Sequence, residues 1–156
     1  MTNRLSVLFA CLMMLPTLGC SNGPQADYGK LGLLEVSGTV TLDGENIAGA
    51  AVYMINEADA TYSFGVTDAS GKYKMMLNSE KSGVLPGEKL VEISTVRNPL
   101  GEAAGGEDED PDAKPSKTEK IPACYNSKSS LKIEVTSQNR TFNFDLKSDC
   151  STTSAS

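Results

Sequence analysis

Four cysteines, 20 acidic side chains and five tyrosines make up most of the reactive inventory of this 156-residue chain, and histidine is absent. A chain without imidazole has no default proton acceptor near neutral pH, no Ser-His or Cys-His nucleophile pair and no histidine-rich zinc or copper site. Catalysis would fall to carboxylates, lysine or tyrosine alone. Their spacing forms no catalytic constellation, so no catalytic residue, no metal site and no cofactor is expected. The chemistry that the spacing does suggest belongs to sulfur. Cys11 and Cys20 lie in the first twenty residues, and Cys124 and Cys150 lie far beyond them.

Met1-Thr-Asn-Arg4 carries one positive charge, Leu5 to Leu15 is an almost unbroken apolar run, and Thr17-Leu18-Gly19-Cys20 closes it. That order is expected of a secretory signal peptide over residues 1–19. At about 1.5 Å per residue the run is too short to span a bilayer, and Pro16 ends it. Cys20 directly after Gly19 resembles the lipobox of bacterial lipoproteins, although Thr17 stands where leucine is usual. The resemblance implies cleavage before Cys20 and a thioether-linked diacylglyceryl group on its sulfur. Ordinary cleavage at this or a nearby site is the alternative. Each buried methylene contributes about 0.8 kcal/mol, so two or more acyl chains hold a protein on a membrane without a spanning helix. The expected location is the bacterial cell envelope, periplasmic or at the outer surface, with the membrane as a partner through the lipid.

Cys11 would leave with the leader, and Cys20 would be acylated. In an oxidising compartment the remaining pair, Cys124 and Cys150, reads as a disulfide, with two free buried thiols as the other possibility. Such a bridge closes a loop of about 27 residues and contributes about 3.5 kcal/mol in the chain-entropy account.

With 14 basic and 20 acidic residues the chain has a net charge of -6, and loss of Arg4 with the leader takes it to -7. An acidic surface without a basic cluster argues against nucleic acid as a partner and against electrostatic attachment to anionic lipid. The length remaining after the leader suits one small domain.

Residues 20–33 are small, polar and glycine-bearing, as expected of a flexible tether. Beyond them, short segments alternate with period two and draw their apolar members largely from valine, isoleucine, phenylalanine and tyrosine. In Glu35 to Leu42 the inward set is Val36, Gly38, Val40 and Leu42, and Asp43-Gly44 supplies a turn. Ala50 to Ile55 is apolar on both faces, which suits a strand that is central or covered on both sides. Tyr62 to Thr67 is expected to point Tyr62, Phe64 and Val66 inward and to form a hairpin with Lys72 to Leu77 through Asp68-Ala-Ser-Gly71. Lys89 to Val96 aligns Val91, Ile93 and Thr95 on one face.

Residues 97–120 lose the pattern, with three prolines, Gly105-Gly106 and the acidic run Glu107 to Asp110, and are expected to form a disordered loop. Order returns with Leu131 to Thr136 and Thr141 to Leu146, expected as a second hairpin, and residues 151–156 read as a polar tail. Seven strands and no helical period predict an all-β, two-sheet antiparallel sandwich over residues 34–150.

The chain then resembles the carboxypeptidase regulatory-like family, whose fold is the seven-stranded transthyretin-like (Ig-like) sandwich. The resemblance runs through Val36-Ser-Gly-Thr-Val40, Ile47-Ala-Gly-Ala-Ala-Val52, Thr67-Asp-Ala-Ser-Gly-Lys-Tyr73 and Leu85-Pro-Gly87 before Val91-Glu-Ile-Ser94. Ile121-Pro-Ala-Cys-Tyr-Asn126 and Phe142-Asn-Phe-Asp-Leu146 are similar to small exported lipoproteins carrying this domain. The resemblance implies no peptidase. The branch of the fold that hydrolyses 5-hydroxyisourate uses histidines and a tyrosine-rich C-terminal signature, and this chain has neither.

Other candidate groups have simpler readings beside them. Asp43, Asp68 and Ser70 offer oxygen ligands for calcium, yet Asp68-x-Ser70-Gly71 is explained as a turn. The acidic run Glu107 to Asp112 could attract divalent ions or simply be solvated. Tyr53, Tyr62, Tyr73 and Tyr125 could form an aromatic platform for sugars, or pack in the sheets. Asn139-Arg-Thr141 fits a glycosylation pattern but sits where a turn is expected. The expected function is a non-enzymatic, lipid-anchored envelope protein with a structural or interaction domain. The alternative is an extracellular glycan- or peptide-binding module using a sheet face or an edge strand.

Overall fold

The computed structural model describes residues 28–97, 99 and 118–156. The expected leader 1–19, the candidate lipidation residue Cys20, and residues 98 and 100–117 of the acidic loop lie outside the described residues.

Eight strands form two sheets, and no α-helix occurs among the described residues. The strands are β1 (Ser37–Leu42), β2 (Glu45–Asn46), β3 (Ala51–Ile55), β4 (Tyr62–Val66), β5 (Lys72–Lys74), β6 (Gly87–Ser94), β7 (Lys132–Val135) and β8 (Phe144–Leu146). The first sheet is built on β1, which pairs antiparallel with β2 and β5 along its two halves and parallel with β8. The second runs β4-β3-β6-β7, antiparallel throughout. The all-β sandwich is as expected, but its strands number eight and one pairing is parallel.

The extra strand has a local cause. Asp43 (φ 53°) and Gly44 (φ 88°) both take positive φ, and Leu42 pairs with Glu45. That is the two-residue primed turn which closes a hairpin at once, so the chain doubles back on β1 as β2 before crossing to the other sheet.

Neither expected hairpin joins neighbours in one sheet. The turn after β4 is tight, with the Asp68 amide donating to the Lys72 carbonyl at 2.8 Å, but β4 pairs with β3 while β5 pairs with β1. Only Phe64 and Met76 exchange backbone bonds, at 2.9 and 2.6 Å, after the chain has left β5. Likewise β7 pairs with β6 and β8 with β1, so residues 136–143 cross between sheets.

The phase of β4 is the reverse of that expected. Tyr62 and Val66 are 50% and 40% exposed, and Phe64 packs with Ala51 and Tyr53 on the outer face, while Ser63 and Thr67 are buried. The cause is close approach. A Cβ at Gly65 would lie 2.8 Å from the Lys74 carbonyl oxygen and 3.1 Å from Met75 Sδ, so the inward side of β4 has room only for small residues. Ser63 Oγ donates to the Gly83 carbonyl, and Thr67 Oγ1 accepts from the Ala50 amide, which satisfies the hydroxyls there.

The remaining strands keep their expected faces. Val36, Val40, Val52, Met54, Met75 and Val91 meet Ile93, Leu131, Ile133, Val135, Phe144 and Leu146 in one core, and Tyr73 stacks on Phe144 at 6.1 Å. β3 is central and covered on both faces, as its apolar pattern requires. Residues 151–156 run beside the segment before β8, where Ser156 and Asn143 exchange backbone bonds at 2.9 Å.

Candidate functional site

Cys124 and Cys150 are joined in a disulfide, with Cα atoms 6.1 Å apart. Cys124 lies in a short 3-10 turn, Ala123–Tyr125, and the buried Tyr125 hydroxyl accepts from the Lys147 and Thr152 amides at 3.4 and 3.1 Å. Bridge and phenol therefore tie the same two segments together. Cys150 is exposed and takes φ 66°, a conformation unusual for a residue with a Cβ, and the bridge helps to hold it there.

The carboxylates considered for calcium are committed to separate turns. Asp68 Oδ1 accepts from Ser70 Oγ and the Ser70 and Lys72 amides at 2.7, 2.7 and 3.0 Å, and these bonds, led by that from the Ser70 hydroxyl, hold its proton affinity low. Asp43 Oδ1 accepts instead from the Ser148 amide at 3.1 Å. No group of three His, Cys, Asp or Glu that could hold a metal occurs among the described residues. Asn139 belongs to a turn, its amide accepted by Thr136 Oγ1 at 3.0 Å.

Glu119 is the carboxylate that the pattern of the sequence does not reveal. It accepts from Ser94 Oγ (2.5 Å), the Thr95 amide (2.9 Å), Thr95 Oγ1 (2.8 Å) and the Ile121 amide (3.0 Å). Partial burial pushes its carboxyl up, but the hydrogen bonds together outweigh this and hold it below the usual glutamate value. Glu119 thus pins the chain to the end of β6 just before Ile121 enters the core.

The four candidate tyrosines do not form one platform. Tyr73 and Tyr125 are buried, and burial pushes the Tyr73 phenol up while its hydroxyl donates to the Phe142 carbonyl at 2.7 Å. On the outer face of the second sheet Tyr53 and Tyr62 meet edge to face, with centroids 5.8 Å apart. The Arg97 guanidinium lies 4.3 Å over the Tyr53 ring and pairs with Glu92. Tyr62 alone keeps much of its ring in solvent.

Beside Tyr62 the surface is concave. A cleft of about 550 Å³ is lined by Tyr62, Phe64 and Leu77 together with the neutral polar groups of Thr61, Asn78 and Ser79. On the other flank Tyr62, Thr61 and Leu77 also border a small cavity of about 20 Å³ that reaches Asn56 and Lys89. Lys89 is only 5% exposed. Its position was readable in the sequence, since it shares the alternating phase of Val91 and Ile93; its charge disguises it as a surface residue. Comparison of the chain with family models, curated proteins and solved structures finds no match in any of the three.

Proposed function

We propose that this chain is an exported, lipid-anchored protein of the bacterial cell envelope, whose sandwich is of the carboxypeptidase regulatory-like, transthyretin-like kind and serves as a non-catalytic interaction module. The observation that carries the reading is the apolar leader ending in Thr17-Leu18-Gly19-Cys20. The Cys124–Cys150 bridge supports it, because disulfides persist where the compartment is oxidising. The non-catalytic part rests on the carboxylates. Among the described residues the displaced ones, Asp59, Asp68, Glu119 and Asp149, are all shifted down, the direction that keeps a carboxylate charged and not the direction of a general acid near neutral pH.

The tether gives the proposal a length. Tyr28 is already docked, its hydroxyl accepting from Asn78 Nδ2 at 2.9 Å, and Leu34 exchanges backbone bonds with Val84 at 2.9 Å. From Cys20 to Tyr28 the chain reaches at most about 28 Å when extended. The sandwich would therefore stay near the bilayer, with the cleft beside Asn78 on the side where the tether arrives.

Metabolic labelling with a fatty-acid analogue tests the anchor. The wild-type chain should incorporate label and fractionate with membranes, and Cys20→Ala should do neither. Equal labelling of the two would defeat the proposal.

A further inference from the structure

Lys89 enters the end of the sandwich beside Met54, Leu77 and Leu85 instead of extending into solvent. An ammonium has three N–H donors, yet the single hydrogen bond of Lys89 among the described residues goes to the Pro86 carbonyl at 3.4 Å, a long contact. The acidic groups nearby do not complete it. Asp59 acts on Lys89 through space, but its Oδ1 accepts from the Thr61 amide and hydroxyl at 3.0 and 2.7 Å. Glu88 pairs with Lys132 at 3.1 Å. Asn56, bordering the same cavity, uses Oδ1 to accept from the Ala58 amide at 3.3 Å, and its Nδ2 has no acceptor among the described residues. Lys89 Nζ, with one long bond for its three N–H groups, and Asn56 Nδ2, with none among the described residues, thus border one small opening.

Donors with N–H groups to spare at a mostly apolar recess can take a further acceptor, and a charged donor favours a charged one. The opening is bordered by the half-exposed Tyr62 ring, beyond which lies the uncharged cleft. A flat, partly apolar ring bearing hydroxyls and one carboxylate fits both halves. An extended peptide fits less well, because the β4 edge at Phe64 is already occupied by Met76 and cannot accept another strand there. We propose that this site binds a carboxylated saccharide, with its carboxylate at Lys89 Nζ and Asn56 Nδ2 and a sugar ring against Tyr62. The site does not depend on the lipid anchor, and Cys20→Ala should bind equally well.

Calorimetric titration of the full chain in detergent with trigalacturonate, its fully methyl-esterified counterpart and a short apolar peptide with a free or amidated C-terminus is the test. The acid should bind in preference to the ester. Lys89→Met should lower affinity for the acid by about tenfold or more and erase the preference, since a charge-assisted hydrogen bond is lost. Tyr62→Ala should weaken acid and ester alike by about fivefold. Circular dichroism of both variants checks that they remain folded; Lys89→Met puts an apolar chain in place of the ammonium and gives up only its long bond to Pro86, and Tyr62 is largely outside the core. Equal binding of acid and ester, as when Lys89 holds only a water, would overturn the assignment. So would no binding, an unchanged Lys89→Met, or preferential capture of the free-carboxylate peptide.

Discussion

The sheet on β1 and the sheet on β3 finish their surfaces in opposite ways. Along the first, Thr39 Oγ1 donates to Asn143 Oδ1 at 3.0 Å and Thr41 Oγ1 to Asp145 Oδ1 at 2.9 Å. Ser156 lies against Asn143, and the Cys124–Cys150 bridge fastens the chain that follows β8. Its polar groups pair with one another. Along the second, Tyr53, Phe64 and Ile55 make a small apolar cluster with Tyr62 and Val66 left open to water, and Lys89 is buried with donors to spare. A surface that satisfies itself contributes to closure of the fold. One that leaves rings and donors unpaired is where a ligand gains most.

The contrast can be attacked first at Gly38. A Cβ there would lie 1.8 Å from the Phe142 carbonyl oxygen, where backbone must move, so Gly38→Ala should cost ~4 kcal/mol or more and leave little folded chain by circular dichroism. Such a loss would show that the first sheet depends on close backbone approach; a variant with near-native stability would break that side of the comparison. Next in size is the bridge. Replacing Cys124 and Cys150 together by serine should lower the unfolding free energy by about 3 kcal/mol in urea titration, with the sandwich still forming.

The smallest effect is expected on the second sheet, at Glu119. Its carboxyl has a lower proton affinity folded than unfolded, so its contribution is complete above the unfolded value and is lost as pH falls through the folded one. Glu119→Gln should therefore lower Tm modestly near neutrality and flatten its decline in acid, so that variant and wild type converge as pH falls below the usual glutamate value. An unaltered acid limb would mean that Glu119 does not secure the end of β6.

Much of this was legible from local pattern. Val36 and Val40, Val91 and Ile93, and Phe142, Phe144 and Leu146 all face the core as their alternation predicts, and β3 is central because both its faces are apolar. The cysteine pair was legible from number and context. β4 misled because its larger side chains are the outer ones; Tyr62 and Val66 are kept out by the backbone of Lys74, a neighbour that alternation does not show. Of the four tyrosines, only contacts distant in sequence separate the exposed Tyr62 from the buried Tyr73 and Tyr125. Glu119 looked like the end of an acidic, proline-bearing loop, and its hydrogen bonds to Ser94 and Thr95 could not be inferred from composition.

The chain by itself determined where all the strands but β2 would lie, which residues share a face, and that two cysteines were free to bond. Period two is a property of each segment alone, and it survives any arrangement of the segments. Only the tertiary structure decided that β5 and β8 both join β1 instead of the strands before them, that the outer face of β4 carries its rings, and that Lys89 lies in the sandwich. Those outcomes depend on which backbones approach closely and which donors find acceptors, and both are settled by residues far apart in sequence.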